Sequence, residues 1–311
     1  MFKIKILVLV IIFSVPNIHY GQHTDQINSN RPGETMSAFS VGKSVFQLET
    51  GFYGIKENHS LLNYDANGYG LDMTLRWGLF MEKLELIGDF RYQYEKVNSP
   101  MSSIDKSALK KTVFGAKYLI YDPFKNYEKK INVYSWKANR AFNWHQLIPA
   151  VSVFAGANLT FSDNPYYFSP KGDISPKVVL ITQNHLGDGS WVFVTNIIGD
   201  YIGTEYPSYN YVLTLTKGFN DHWSGFIENQ GIKSDFYSDA IVRGGAAFLI
   251  NDDMQIDASI SSSLKTTPSI LYGGVGLSWR FDDNYKEVRM SIDSGDSNKK
   301  AKKRAKKTKK G

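Results

Sequence analysis

The sequence predicts an all-β protein, a closed antiparallel transmembrane β-barrel of about twelve strands, with an N-terminal signal peptide and a basic, disordered C-terminal tail. Three observations lead there. Segments of about ten residues alternate apolar with polar or small side chains, a period of two that sorts side chains onto the two faces of a strand. Aromatic residues make up 14% of the chain and gather near the ends of these segments, as they do at the two interfaces of a membrane barrel. The links between segments alternate short and long, as in barrels with turns at one rim and loops at the other.

The first element is the signal peptide, expected over 1–21. Lys3 and Lys5 precede an apolar run from Ile6 to Ile12, and Pro16 breaks the pattern ahead of Tyr20-Gly21-Gln22. Charge, apolar stretch and small residue in that order are the layout of an export signal, with cleavage after Gly21 preferred. A buried N-terminal strand is the other reading of the run. No later segment approaches the roughly 20 apolar residues a spanning helix needs. The chain has no cysteine, so a disulfide framework, a thiolate metal site and a lipid-bearing N-terminal cysteine are excluded. Residues 22–43 are expected to form a periplasmic leader, 44–281 the barrel and 282–311 a periplasmic basic tail.

The strands are expected at Ser44–Gly54, Tyr69–Leu79, Leu84–Glu95, Lys111–Tyr121, Leu147–Phe161, Ser175–Leu186, Ser190–Tyr201, Tyr209–Phe219, His222–Gln230, Ala240–Ile250, Met254–Ser261 and Ile270–Phe281. The second is the clearest. Tyr69, Leu71, Met73, Leu75, Trp77 and Leu79 fall on one face, and Gly70, Asp72, Thr74, Arg76 and Gly78 on the other. The third repeats the pattern across the short turn Phe80 to Lys83, and the two read as a long hairpin. Short links are expected at Gly187 to Gly189, Asn220 to Asp221 and Asn251 to Asp253. Longer outward loops are expected at Ile55 to Gly68, Lys96 to Lys110, Ser162 to Ile174 and Gly231 to Asp239. The long link Asp122 to Gln146 breaks this rule, and it reads as an ordered turn on the barrel rim, a plug or a docking surface.

A charged side chain facing lipid at mid-membrane costs about 2–4 kcal/mol. The alternating charges are therefore expected to face the lumen: Glu49, Asp72, Arg76, Glu85, Asp89, Arg91, Glu95, Lys117, Glu228, Arg243, Asp257 and Arg280. Two readings stand for them. They line a path and select solutes by field and size, or they pair across strands and fill a narrow barrel.

Several short stretches carry a family resemblance. Asn30-Arg31-Pro32-Gly33, Val41-Gly42-Lys43 and Phe46-Gln47-Leu48-Glu49-Thr50-Gly51 open it. Leu75-Arg76-Trp77-Gly78-Leu79, Gly115-Ala116-Lys117-Tyr118 and Ile148-Pro149-Ala150 continue it. Together they resemble the bacterial outer-membrane transporter family labelled "putative MetA-pathway of phenol degradation", over roughly Asn30 to Phe281. The resemblance implies a barrel that passes small solutes, aromatic ones among them. The family usually has an acid where Asn30 stands, and the 122–146 link and the basic tail are additions to its pattern.

The expected function is passive passage of small solutes, aromatic or hydrophobic ones included, through a charged lumen in the outer membrane. The alternative is a non-conducting structural or assembly component that binds partners through its periplasmic link and tail. An enzyme is not expected. His23, His59, His145, His185 and His222 stand in no motif with a serine or carboxylate, and His185 reads as a polar rim residue. No cofactor or metal site is expected. Nine of the 36 basic residues lie between Lys299 and Lys310 and two leave with the signal, so 25 bases face 30 acids in the body. The basic character therefore belongs to the tail, which is too charged to bury. Either it holds anionic lipid head groups or an anionic periplasmic partner, or it is simply solvated; nucleic acid is not an expected partner.

Overall fold

The computed structural model describes residues 27–125, 127, 134, 144–161, 164–167, 173–187 and 189–282. The signal peptide, its cleavage site, the basic tail, and Trp136 and Phe142 of the long link lie outside the described residues.

Twelve strands form one closed antiparallel barrel. They are β1 (Phe46–His59), β2 (Tyr64–Gly78), β3 (Leu84–Ser99), β4 (Ser102–Tyr121), β5 (Ala150–Leu159) and β6 (Ile174–Leu186), then β7 (Trp191–Asp200), β8 (Ser208–Gly218), β9 (Trp223–Ser234), β10 (Ser238–Asn251), β11 (Met254–Ser263) and β12 (Ser269–Phe281). Each strand pairs with its neighbours in sequence. β1 closes the ring on β12, from Phe46 opposite Phe281 to Asn58 opposite Ser269. Closure leaves no edge, so every ladder group has a partner in lipid.

The period of two is visible in burial. Along β1, Gln47, Glu49, Tyr53 and Ile55 are buried while Phe46, Phe52, Gly54 and Lys56 are exposed. Outward positions on other strands carry Leu71, Phe114, Leu180, Leu215, Ile227 and Val275, the apolar band that lipid tails require. Phe46, Trp77, Trp191, Phe219, Trp223 and Trp279 are exposed around the rim that carries both chain ends, here the terminal rim. Tyr69, Tyr92, Tyr209 and Tyr211 are exposed toward the opposite, distal rim. The tight β6–β7 turn relies on Gly187 and Gly189 at φ 68° and 93°, values a Cβ disfavours.

Four expectations need correction. The loops expected over 55–68, 96–110 and 231–239 are mostly strand, since β3 runs to Ser99 and β4 starts at Ser102. Above the hydrocarbon both faces of a strand are wet, so polar residues such as Lys56, Asn58 and Lys96 erase the alternation without ending the ladder. Only the β5–β6 link, 160–173, stays long among those four. Second, the inner face is not uniformly polar. Ile87, Val113, Phe154, Val179, Ile181 and Val194 point inward and form an apolar wall over β3 to β7.

Third, the leader expected outside the barrel runs, from residue 27 on, inside it. An irregular segment has no ladder of its own, and the polar lumen supplies its hydrogen bonds. Fourth, His185 is not an open rim residue. It lies between Phe39 and Phe124, with ring centroids 5.8 and 5.4 Å away. The described ends of the long link settle on the rim beside it. Trp144–Leu147 forms a 3₁₀ turn, Gln146 donates to the Gly187 carbonyl at 2.5 Å, and His145 stacks on Tyr127 at 3.7 Å.

Candidate functional site: a plugged lumen

The N-terminal segment enters the barrel at the terminal rim, where the Ile27 amide donates to the Asp252 carbonyl at 2.7 Å. It climbs to an apex at Pro32-Gly33-Glu34 and returns along Met36 to Phe39. At the rim the Ser40 hydroxyl bonds the Glu82 carbonyl, and the Ser44 amide donates to Gly78 at 2.8 Å just before β1. Both feet of this loop therefore stand at the same rim.

The loop's backbone is satisfied by side chains of the wall. Asn196 of β7 grips Met36 twice, accepting from its amide at 2.7 Å and donating to its carbonyl at 3.0 Å. Gln183 of β6 accepts from the Ala38 amide at 3.0 Å, and Ser152 of β5 donates to the Ala38 carbonyl at 2.5 Å. Lys117 of β4 donates to the carbonyls of Ser37 and Phe39, both at 2.9 Å. Arg76 of β2 donates to Asn28 at 2.5 Å, Glu85 accepts from Val41 at 3.0 Å, and Glu228 accepts from Glu34 at 3.1 Å. On the apolar wall, Ala38, Met36 and Phe39 pack with Phe154, Val179 and Ile181.

These contacts account for most of the twelve candidate residues. Arg76, Glu49, Glu85 and Lys117 form one cluster, each at most 1% exposed, with Arg76 at 3.0 Å from Glu49 and 2.6 Å from Glu85 and Lys117 at 3.2 Å from Glu85. A second cluster sits at the apex. Arg91 pairs with Asp72 and with Glu34, whose contact is 2.5 Å, Lys111 pairs with Asp89 at 2.5 Å, and Arg31 pairs with Asp257 at 3.2 Å. Burial alone would raise the Glu34 carboxyl, but Arg91, Lys111 and Arg243 outweigh it and hold the group well below the usual carboxylate range. In the third cluster Glu228 binds Arg243, the Thr35 hydroxyl at 2.7 Å and the Thr214 hydroxyl at 2.8 Å. Two candidates stand apart. Glu95 accepts from Gln93 toward the distal end, and Arg280 lies at the terminal rim, 3.5 Å from Asp282.

Sequence reasoning missed Arg31, Glu34, Lys111 and the Lys177–Asp200 pair at 2.9 Å. Arg31 and Glu34 lie on the irregular leader, where no periodicity points anywhere. Lys111 follows a β-bulge in β4 opposite Arg91 and Tyr92. The extra residue lets Lys110 and Lys111 both reach the lumen, Lys110 donating to Gln93 at 3.1 Å.

The loop divides the lumen into two chambers. Toward the distal rim is a cavity of about 880 Å³ reached by Tyr53, Tyr64, Tyr166, Tyr237 and Tyr272, with Arg31, Glu34 and Arg91 at its floor. Toward the terminal rim is one of about 620 Å³ bounded by Phe39, Phe124, His185, Val194 and Phe226. Asn30 to Gly33 and Thr35 line both.

Arg31 lies in a slot made by missing side chains. Gly51 of β1 and Gly276 of β12 face each other in register, and a Cβ on either would overlap the guanidinium. Gly51→Val should expel Arg31 and cost the docked loop about 1.5–3 kcal/mol for the lost charge-assisted hydrogen bond to Asp257. The barrel itself should survive, because the displaced atoms are the far end of a flexible side chain. Limited proteolysis checks this, with faster cleavage within 27–40 expected and barrel mobility on unheated gels unchanged. Unchanged cleavage would show that the slot does not hold the loop.

Residues 29–281 match the family described as "Putative MetA-pathway of phenol degradation". Among solved structures, the chain is similar to the COG4313 outer membrane channel from Pseudomonas putida F1, at 11% identity and a TM-score of 0.49 over 82% of this chain and 100% of that one. It is also similar to the KdgM porin, at 10% identity and 0.41 over 74% and 99%. The CymD monoaromatic hydrocarbon channel matches at 9% identity and 0.39 over 76% and 88%. No curated protein sequence matches. With the family matched across the whole barrel and the segment inside it, this chain belongs to the family "Putative MetA-pathway of phenol degradation".

Proposed function

We propose that the protein passes small neutral solutes, aromatic ones favoured, across the outer membrane. The observation that carries this reading is the pair of chambers stacked in one lumen on either side of the N-terminal loop. The larger has the volume of a small-molecule site. Four of its tyrosines have committed hydroxyls: Tyr53 donates to Gln93 at 2.7 Å, Tyr64 to Glu57 at 2.5 Å, Tyr237 to Asp239 at 2.6 Å and Tyr166 to the Gln93 carbonyl at 3.1 Å. With the polar tips occupied, the ring faces are what remains for a solute, and they suit flat apolar groups. Acids and bases at the chamber floor are paired with one another, so no strong net field favours an ion. The candidate charges thus serve chiefly to hold the loop. In the orientation that fits, the terminal rim is periplasmic and the larger chamber opens outward.

Proteoliposome uptake tests this with an aryl glycoside, a neutral aromatic too polar to cross lipid unaided, against anionic and cationic aromatics of similar size. The glycoside should accumulate faster than either ion and faster than in protein-free vesicles. Equal accumulation with and without protein would refute passage, and a preference for one ion would refute the neutral lumen.

A further inference from the structure

We infer that residues 28–41 are an intramolecular ligand of the barrel, a stopper held by its backbone, whose apex must leave its site before solute can pass from one chamber to the other. The inference rests on the passage reading above and adds the element that controls it.

The first support is the kind of contact made. The wall does not merely crowd the loop. Asn196, Gln183, Lys117 and Ser152 come from four successive strands and engage consecutive backbone groups of Met36 to Phe39. Side-chain donors and acceptors set to match a peptide backbone are a peptide-binding site, and this one holds the chain's own segment.

The second support is topology. Because both feet stand at the terminal rim, the apex can withdraw toward that rim without drawing a chain end through the barrel. The third is the unequal wetness of the two ion-pair clusters. At the feet Arg76, Lys117 and Glu85 have side chains 0% exposed. At the apex the side chains of Arg31, Glu34 and Arg91 are 15%, 23% and 25% exposed to the larger chamber. Water can replace the Glu34–Arg91 pair as it separates, and Glu228, itself 0% exposed, keeps Arg243 when Thr35 leaves. Asp257, also 0% exposed, is the one apex acid that loses its cation, whereas parting the feet would strand a whole buried cluster. The apex is therefore the moving part, and the feet are its anchor.

The chain has no cysteine, so introduced thiols report without interference. The Thr35 and Thr214 hydroxyls are in contact, so Thr35→Cys with Thr214→Cys pins the apex of the stopper to β8. Oxidised to completion, confirmed by mass, the double variant should pass the aryl glycoside at about one-tenth or less of its rate after reduction, a suppression equal to a tenfold loss of the open population. Neither single replacement should respond to oxidant.

A second readout does not depend on transport. In membranes, Thr35→Cys should react slowly with a water-soluble maleimide, and about tenfold faster when Arg31→Ala loosens the apex. Passage that is indifferent to a complete cross-link, together with no maleimide reaction in either variant, would overturn the stopper while leaving passage intact. Maleimide reaction as expected, with no uptake above protein-free vesicles in any variant, would retain the moving apex and overturn passage instead.

Discussion

Arg76→Met should destabilise the folded barrel by about 3–5 kcal/mol, the usual cost of removing one partner from a buried ion cluster. Arg76 is fully buried between Glu49 and Glu85, and it also holds the Asn28 carbonyl of the stopper. Methionine fills much of the volume but leaves Glu49 without its cation and Glu85 with Lys117 alone. Urea unfolding in lipid vesicles, followed by tryptophan fluorescence, measures the loss. Adding Glu49→Gln should restore part of it, because the stranded charge is then gone while a hydrogen-bonding amide remains. By contrast Arg91→Met, at a site 25% exposed, should cost clearly less. Similar losses for the two arginines would mean that water reaches the Arg76 cluster after all.

The strands were legible in the sequence because lipid enforces the alternation. At β2, Asp72 and Arg76 can face only inward while Leu71 and Trp77 face only outward, so the register was readable from the residues alone. Where that constraint ends, the reading ended too. Beyond the hydrocarbon the strands β3 and β4 continue with both faces wet, and their polar residues looked like loop. In β5 to β7 a stretch of the inner face is apolar, so Val178 and Val179, or Leu180 and Ile181, differ in direction and not in chemistry.

The candidate charges were legible for the same energetic reason, but their partners were not. Glu228 bonds Thr35 and the Glu34 amide nearly 200 residues earlier, and nothing local in either stretch announces the other. The stopper has no period, no cap and no apolar stripe, and its one visible signal was the Asn30-Arg31-Pro32-Gly33 stretch. In the fold, Arg31 needs the slot beside Gly51 and Gly276, and Gly33 lies where a Cβ would press on the Glu228 carboxylate.

The apolar wall yields the second large effect. Phe154 is 0% exposed, and its ring lies over Gly115 and Gly156, paired across β4 and β5, where any Cβ would collide with it. Phe154→Ala should cost about 3–5 kcal/mol, since the emptied space cannot be refilled by two glycines fixed in a ladder. The same urea titration measures it, and Phe154→Leu should recover more than half of the loss. The size of the effect separates two pictures of the lumen. If the wall merely lined an open pore, the ring would face water, and truncating it would change stability by less than about 0.5 kcal/mol. If the wall is a core packed on Ala38 of the stopper, the loss is that of an interior, and the loop loses the surface on which its returning leg rests. Phe154→Ala should then also raise maleimide reaction at Thr35→Cys, because a leg freed at Ala38 carries the apex with it.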